Sequence, residues 1–175
     1  MNNSLLMPVT RSAVVGLPLR PAPDLPWVKL TDPAYQVMTD FAHERPITTP
    51  EDRSIEDALD DMFRFGIRAL LVMRDDKVTG LITSYDIQGE RALQFMQNSS
   101  FTRHDEIQVG YIMTCWRDLP VIEWHTVCDA QVGEILAIFK EIRATHIVVV
   151  EANGMGPMVV RGLISRTRLD RQLSG

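Results

Sequence analysis

The chain has 175 residues, of which 45% are hydrophobic and 23% charged, a composition typical of soluble globular domains. The net charge of -5 comes without a long basic run, which disfavours a nucleic-acid partner. No apolar run approaches the roughly 18 residues needed to cross a bilayer, and two cysteines cannot complete a four-ligand zinc site. We therefore expect a cytoplasmic protein of one domain or two small ones, with no membrane contact.

The first 31 residues are rich in proline. Five of the ten prolines fall between Pro8 and Pro26, which excludes a helix or a central strand there. Residues 1–31 are thus predicted to form a Pro-rich extended arm, without a secretory signal. Two interpretations remain open: a disordered tail, or an arm that docks Trp27 and Val28 onto the folded body.

From Asp32 onward the chain repeats itself, which indicates a duplicated structural unit. The paired segments are VMT at 37–39 and IMT at 112–114, PITT at 46–49 and PVIE at 120–123, IRALLVM at 67–73 and IRATHIVVV at 142–150, and GLIT at 80–83 and GLIS at 162–165. We place repeat 1 at 32–97, a linker at 98–106 and repeat 2 at 107–175.

Each repeat has the same predicted order of elements. Ser54 and Thr126 are each followed three residues later by a carboxylate, which predicts the N-terminus of an amphipathic helix. The apolar runs LLVM and IVVV that follow are typical of buried strands. A turn comes next, at RDDK or EANGMG, and then a second strand that ends in GLIT or GLIS, whose glycine is expected to close the turn. A helix ends each unit. The predicted order is strand, helix, strand, strand, helix.

Catalytic and metal-binding patterns are missing from the sequence. There is no G-x-S-x-G, H-E-x-x-H or P-loop motif. The four histidines share no helical face, and Cys128 near His125 is interpreted as a packing residue. We predict no catalytic residue, no metal site and no enzyme activity.

The stretch GLITSYD at 80–86 carries the candidate binding chemistry. Thr83 lies where a strand becomes a helix, so its hydroxyl and the free N–H groups there can receive a phosphate. Asp86, one turn later, can accept paired hydrogen bonds from the vicinal hydroxyls of a ribose. The simpler interpretation is that Thr83 caps the helix and Asp86 interacts with its dipole. In the second copy, GLISRTR, Arg168 stands at the position of the acid.

Two βαββα units that end in these motifs resemble a tandem pair of CBS domains, the arrangement called a Bateman module. The resemblance covers residues 32 to about 172. It implies an α/β (α+β) fold with the two repeats packed as a pseudo-twofold pair. It also implies a regulatory module that binds AMP, ADP, ATP, NAD or S-adenosylmethionine in the cleft between the repeats. A homodimer and an unidentified protein effector are expected on the same basis, and no catalytic cofactor.

The resemblance also assigns site residues. In the first site Thr83 and Asp86 would contact phosphate and ribose, and the adenine would lie against Ile47, Ile67 and Arg68. The second site would use Val121, Thr145, Ser165 and Arg168, with His146 as a basic phosphate contact.

The exchange of an acid for Arg168 makes the two predicted sites unequal. A guanidinium only donates hydrogen bonds, so Arg168 cannot accept them from ribose but can hold a phosphate. We therefore predict one intact site at Thr83 and Asp86, with Arg168, Arg68 and His146 lending positive charge to the phosphates. The alternative is a degenerate second site in which Arg168 pairs with a surface carboxylate. The corresponding alternative function is a ligand-free dimerisation or scaffold protein.

Overall fold

The structure is a computed structural model that describes residues 25–99 and 103–174. The strands are β1 (Met38–Asp40), β2 (Thr48–Pro50), β3 (Ala69–Arg74), β4 (Lys77–Thr83), β5 (Thr114–Cys115), β6 (Val121–Glu123), β7 (His146–Glu151) and β8 (Val159–Ser165). The helices are α1 (Ile55–Phe65), α2 (Ser84–Gln88), α3 (Glu90–Gln97), α4 (Val109–Ile112), α5 (Trp124–Asp129), α6 (Val132–Glu141) and α7 (Arg166–Leu173). The predicted α/β class and the twice-repeated order of elements are confirmed. Most of the predicted arm lies outside the described residues.

The strands form two four-stranded sheets, in the orders β2-β3-β4-β5 and β1-β8-β7-β6. Each sheet takes its edge strand from the other repeat. Strand β5 pairs antiparallel with β4, placing Thr114 opposite Leu81, and β1 pairs antiparallel with β8, placing Thr39 opposite Leu163. We call the part built on β2–β5 the first body and the part built on β1 and β6–β8 the second body. The repeat bounds 32–97 and 107–175 stay a prediction about sequence units, because each body contains segments of both.

The hydrophobic core of each body, like its sheet, includes residues from the segment that leads into the other repeat. In the first body, residues 107–112 of the second repeat pack with residues of the first; its fully buried members include Ile55, Met62, Leu70, Ile82, Ile107 and Val109. In the second body, residues 28–37 pack with residues of the second repeat; buried members include Val28, Ala34, Val37, Phe139, Ile147 and Ile164. The segment that leads into each repeat is therefore a structural part of the opposite body.

Of the two residues considered for docking onto the folded body, Val28 is buried and Trp27 is exposed. Val28 is buried, with 6% of its surface exposed, and its N–H donates to the Gln172 carbonyl at 3.0 Å. The Gln172 side-chain amide donates in turn to the Pro26 carbonyl at 3.0 Å. Trp27, by contrast, is 73% exposed. The segment just before the first repeat is therefore anchored to the second body by Val28, while Trp27 is exposed to solvent.

The first predicted helix start is confirmed and the second is wrong. Ser54 Oγ accepts from the Asp57 N–H at 3.1 Å at the start of α1. In the second repeat Thr126 lies inside α5, and α6 starts after a break at Ala130, with Gln131 and Glu134 as its capping box. The break exists because the Ala130 carbonyl accepts from the Ala34 N–H at 2.9 Å. A contact with the exchanged segment thus interrupts the helical pattern.

The glycines of the repeated motif do not close the turns. Gly80 and Gly162 lie within β4 and β8, and the turn between β3 and β4 uses Asp75 and Asp76, both at positive φ. A Cβ atom on Gly80 would lie 2.5 Å from a backbone carbonyl oxygen of β5, and one on Gly162 would lie 2.5 Å from that of Thr39 in β1. The glycines allow the exchanged strands to approach closely.

None of the helices in the described ranges has the length and hydropathy that a membrane span requires.

Candidate functional site

Thr83 and Asp86 form a reciprocal hydrogen-bonded pair at the junction of β4 and α2. Thr83 is buried and is the N-cap of α2. Its Oγ1 accepts from the Asp86 N–H at 3.2 Å. Asp86 Oδ2 accepts from the Thr83 N–H at 2.9 Å and from the Thr83 hydroxyl at 2.7 Å. The capping role that the sequence allowed is therefore present, and it fixes both side chains in place.

Arg91 completes this arrangement and was missed by sequence reasoning. Its Nη1 donates to Asp86 Oδ1 at 3.1 Å, and to the Ile112 carbonyl and Thr114 Oγ1, both at 3.0 Å. These contacts tie the first motif to the exchanged strand β5. The second repeat has Leu173 at the position corresponding to Arg91, so comparison of the repeats could not reveal it.

In the second motif Arg168 takes a place similar to that of Arg91. Ser165 precedes α7 as its N-cap but makes no capping hydrogen bond through its side chain. Arg168 Nη1 donates to Thr39 Oγ1 at 2.8 Å, and Thr39 is the repeat equivalent of Thr114. Arg168 forms no ion pair with any described residue, so the predicted pairing with a surface carboxylate is not seen within those ranges.

Two clefts lie where the bodies meet, with volumes of about 560 and 610 Å³, within the usual range for small-molecule sites. We call them the first and the second cleft. The first cleft is lined by Thr83, Asp86 and Arg91 from the first body, and by Pro120, Arg143, Thr145 and His146 from the second. The second cleft is lined by Ile47, Ile67 and Arg68 from the first body, and by Ser165, Thr167, Arg168 and His146 from the second.

The structure therefore groups the predicted residues differently from the sequence analysis. Ile47, Ile67 and Arg68 do not share a cleft with Thr83 and Asp86; they lie with Ser165 and Arg168. Thr145 lies with Thr83 and Asp86 instead. Val121 follows Pro120 at the edge of the first cleft and is not itself one of the lining residues. Each cleft combines the motif of one repeat with the strand starts of the other.

His146 lies at the start of β7 and lines both clefts. Only 6% of it is exposed, and its Nδ1 lies 2.9 Å from Thr145 Oγ1. Burial lowers the pKa of the imidazole from 6.5 to about 4, because desolvation disfavours the cation. The ring is therefore neutral near pH 7 in this structure, and the contact of His146 with a phosphate stays a prediction.

Comparison with known proteins agrees with this geometry. Residues 34–93 match the family model of the CBS domain. No curated protein sequence matches the chain. The structure of a protein with CBS domains from Burkholderia ambifaria MC40-6 is 26% identical, covers 72% of this chain and 80% of its own, and has a TM-score of 0.54.

Two further solved structures share the fold and contain a nucleotide. CBSX2, a CBS-pair protein from Arabidopsis thaliana, is 19% identical and was solved in complex with AMP, with a TM-score of 0.54 over 80% of this chain and 94% of its own. The CBS domain of a bacterial CNNM/CorC family Mg²⁺ transporter is 14% identical and was solved in complex with ATP, with a TM-score of 0.57 over 83% of this chain and 89% of its own. The family match covers the first repeat, and solved structures of CBS-domain proteins share the fold across both repeats, so the chain is similar to proteins with tandem CBS domains.

Proposed function

We propose that this chain is a regulatory module that binds an adenosine-containing nucleotide in the first cleft. The observation that carries the proposal is the pair Thr83 and Asp86, held rigidly at one wall of an open cleft whose other wall belongs to the second body. The nucleotide complexes of proteins with the same fold support the ligand class: AMP with CBSX2 and ATP with the transporter domain. The candidates are AMP, ADP, ATP, NAD and S-adenosylmethionine.

The hydrogen bonds of Asp86 explain how a ribose would bind. The carboxylate has about four lone-pair directions, and three are used by the Thr83 N–H, the Thr83 hydroxyl and Arg91. A diol needs two acceptors, so it displaces one of these donors. The Thr83 hydroxyl is the easiest to release, because it can rotate and donate to the ligand's phosphate instead.

The rest of the ligand would contact the second body. The adenine would lie between the Pro120–Val121 edge and Thr145, which correspond to the strand starts that sequence analysis assigned in the other repeat. Arg143 lines the same cleft and forms no ion pair among the described residues, so it is available for a phosphate. A ligand held by both bodies would stabilise one relative arrangement of them, which is the requirement for a regulatory signal.

The alternative function is a ligand-free scaffold with clefts filled by side chains. The volumes of about 560 and 610 Å³ do not favour it.

We also propose that the chain forms a homodimer through its helices. Phe63 and Phe65 near the end of α1 are 66% and 52% exposed, and such large apolar side chains suit a protein contact. A protein effector of unspecified identity would respond to the bound ligand.

The test is isothermal titration of the full chain with the five adenosine compounds, followed by titration of Asp86→Asn with the tightest binder. Asn keeps an oxygen that can accept from the Thr83 N–H but loses the charge that binds the diol. We expect the affinity to fall about tenfold or more, the usual effect of losing a hydrogen bond to a charged group. Asp57→Asn is the matched control, because Asp57 is an exposed acid in the first turn of α1.

The proposal is contradicted if Asp86→Asn binds as tightly as the wild type, or if none of the five compounds binds. Thermal melting of both variants shows that they are folded at the titration temperature. Complete failure of the ligand panel would transfer support to the scaffold function.

A further inference from the structure

The two clefts differ strongly in charge. The second cleft is lined by four arginines and a single glutamate: Arg45, Arg68, Arg168, Arg171 and Glu44. No described carboxylate forms an ion pair with any of these four arginines. The first cleft has three arginines and two aspartates, and Arg91 and Arg117 contact those aspartates. A cleft with uncompensated cations in a chain of net charge -5 attracts anions.

Arg168 is the arginine of the second cleft that has a buried donor without a hydrogen-bond partner among the described residues. A guanidinium has five N–H donors, and among the described residues Arg168 uses one, to Thr39 Oγ1. Its Nε is buried without a hydrogen-bond partner among the described residues, and leaving a buried donor unsatisfied destabilises the folded state. An anionic acceptor beside this guanidinium would relieve part of that cost.

The first body has an arginine in a similar place, although it is not at the equivalent sequence position. There, Arg91 Nη1 donates to a carboxylate, a carbonyl and a hydroxyl, so the protein itself supplies acceptors and a counter-charge. In the second body the acid is missing and Arg168 itself contacts the corresponding threonine, Thr39. The exchange removes the only acceptor in the motif that could bind a ribose diol, and it leaves a free cation in its place.

We propose that the second cleft is a phosphate-binding site that does not recognise ribose. Its ligand is a compact polyphosphate, or the polyphosphate end of a larger molecule, with Arg168 as the central contact. The hydroxyls of Ser165 and Thr167 line the same wall and can donate to phosphate oxygens. The site goes beyond the nucleotide site of the first cleft and does not require it, because none of these residues lines the first cleft.

The polyphosphate can reach this site from two sources. His146 lines both clefts, so the phosphate tail of a nucleotide in the first cleft is one source, and a free polyphosphate is the other.

The experiment is titration calorimetry of the full chain with sodium pyrophosphate in the presence of EDTA. We expect one binding event on the wild type that becomes about tenfold or more weaker in Arg168→Gln, the scale of a lost charge-assisted hydrogen bond. Arg168→Lys keeps the charge but not the planar set of donors, so an intermediate affinity is expected. Arg166→Gln is the matched control, since Arg166 precedes it by two residues on α7, does not line the cleft and bonds the Phe139 carbonyl.

Several results would overturn the site. They are no binding of pyrophosphate at millimolar concentration, unchanged binding by Arg168→Gln, or equal weakening by Arg166→Gln. A loss of pyrophosphate binding in Asp86→Asn would also overturn it, because that result locates the anion in the first cleft. Melting curves of each variant separate lost binding from lost folding. Pyrophosphate contains no adenosine, so failure of this test leaves the nucleotide proposal intact, and the reverse also holds.

Competition then identifies the source of the phosphate. If ATP displaces pyrophosphate, AMP does not, and Asp86→Asn abolishes the displacement by ATP, the tail of a nucleotide in the first cleft occupies the site. If neither nucleotide displaces it, the site takes a separate polyphosphate.

Discussion

The buried position of His146 between the two clefts makes the stability of the folded chain depend on pH. His146 has its ring nitrogen beside the Thr145 hydroxyl at 2.9 Å, and no described carboxylate pairs with it. Burying an unpaired cation is costly, so the folded chain keeps the imidazole neutral and its pKa falls to about 4. The unfolded chain, where the pKa is about 6.5, takes up the proton instead.

The stability of the protein should therefore fall as the medium becomes acidic between about pH 6.5 and pH 4. Above this window both states are neutral at His146, and below it both are protonated, so the loss is confined to the window. A shift from 6.5 to about 4 corresponds to about 3 kcal/mol in total. Urea denaturation of the wild type and of His146→Gln at pH 7 and pH 4 measures this difference.

His125→Gln is the control for that measurement, because the side chain of His125 is 72% exposed. If His146→Gln shows the same loss of stability between pH 7 and pH 4 as the wild type, His146 is not the group that titrates.

At the scale of elements, the exchanged strand β1 is fastened to the second body by an ion-pair network. Asp40 at the end of β1 accepts from Arg161 Nε at 2.8 Å and Nη2 at 3.0 Å, and Arg161 Nη1 also donates to Glu151 at 2.9 Å. The guanidinium stacks over Trp124 at 4.6 Å. Arg161 therefore joins three strands and a helix of the second body. The first body has Cys115 at the position of Asp40 and lacks this network.

The Asp40→Asn variant tests how much this contact stabilises the strand exchange. The hydrogen bonds from Arg161 hold the pKa of Asp40 at about 2 instead of 3.8. Since the pKa is depressed, the stabilisation is present above about pH 4 and is lost as the pH falls toward 2. We expect Asp40→Asn to lower the free energy of unfolding at pH 7 by about 1–2 kcal/mol, allowing for partial solvent screening.

Urea denaturation at pH 7 and near pH 2 checks this expectation, and the difference between the variant and the wild type should shrink at the lower pH. Asp60→Asn is a suitable control, because Asp60 is exposed on α1 without a described ion pair. A destabilisation equal to that of the control would show that the network does not hold β1.

The elements that sequence analysis predicted correctly are those whose signal is local. The β-branched run at 147–150 became β7, and Ser54 became a helix cap. The wrong prediction at Thr126 had a different cause: the break at Ala130 depends on a backbone hydrogen bond from Ala34, nearly a hundred residues away in the chain. The role of the motif glycines also depends on a distant strand, and no pattern close to Gly80 in the sequence indicates that strand.

At the scale of the whole molecule, the same exchange explains the grouping of the site residues. Several residues predicted from the sequence line the clefts, among them Thr83, Asp86, Arg68 and Arg168. The prediction grouped each motif with the strand starts of its own repeat, because a repeat is recognised as a continuous unit. In the fold, each motif faces the strand starts of the opposite repeat. No periodicity within one repeat contains this information.

The exchange also predicts how the halves of the molecule depend on each other. Each body needs a lead-in segment from the other half of the chain for its edge strand and for part of its core, which includes Val28, Ala34 and Val37 in the second body and Ile107, Val109 and Ile112 in the first. A body that loses its segment loses apolar burial of about 1.5–3 kcal/mol for each large side chain, a large fraction of the stability of a small domain.

Fragments 1–101 and 102–175 should therefore each fail to fold alone and should fold together when mixed. Circular dichroism would show no cooperative melting for either fragment, and a single transition for the equimolar mixture. The control is a pair of fragments, 41–101 and 116–175, that lacks both lead-in segments and should not restore the transition. Cooperative melting of either fragment alone would show that the exchanged segments are not needed for folding. Restoration of the transition only by the intact pair would show that each repeat carries a structural part of the other, and that the two clefts can form only in the complete molecule.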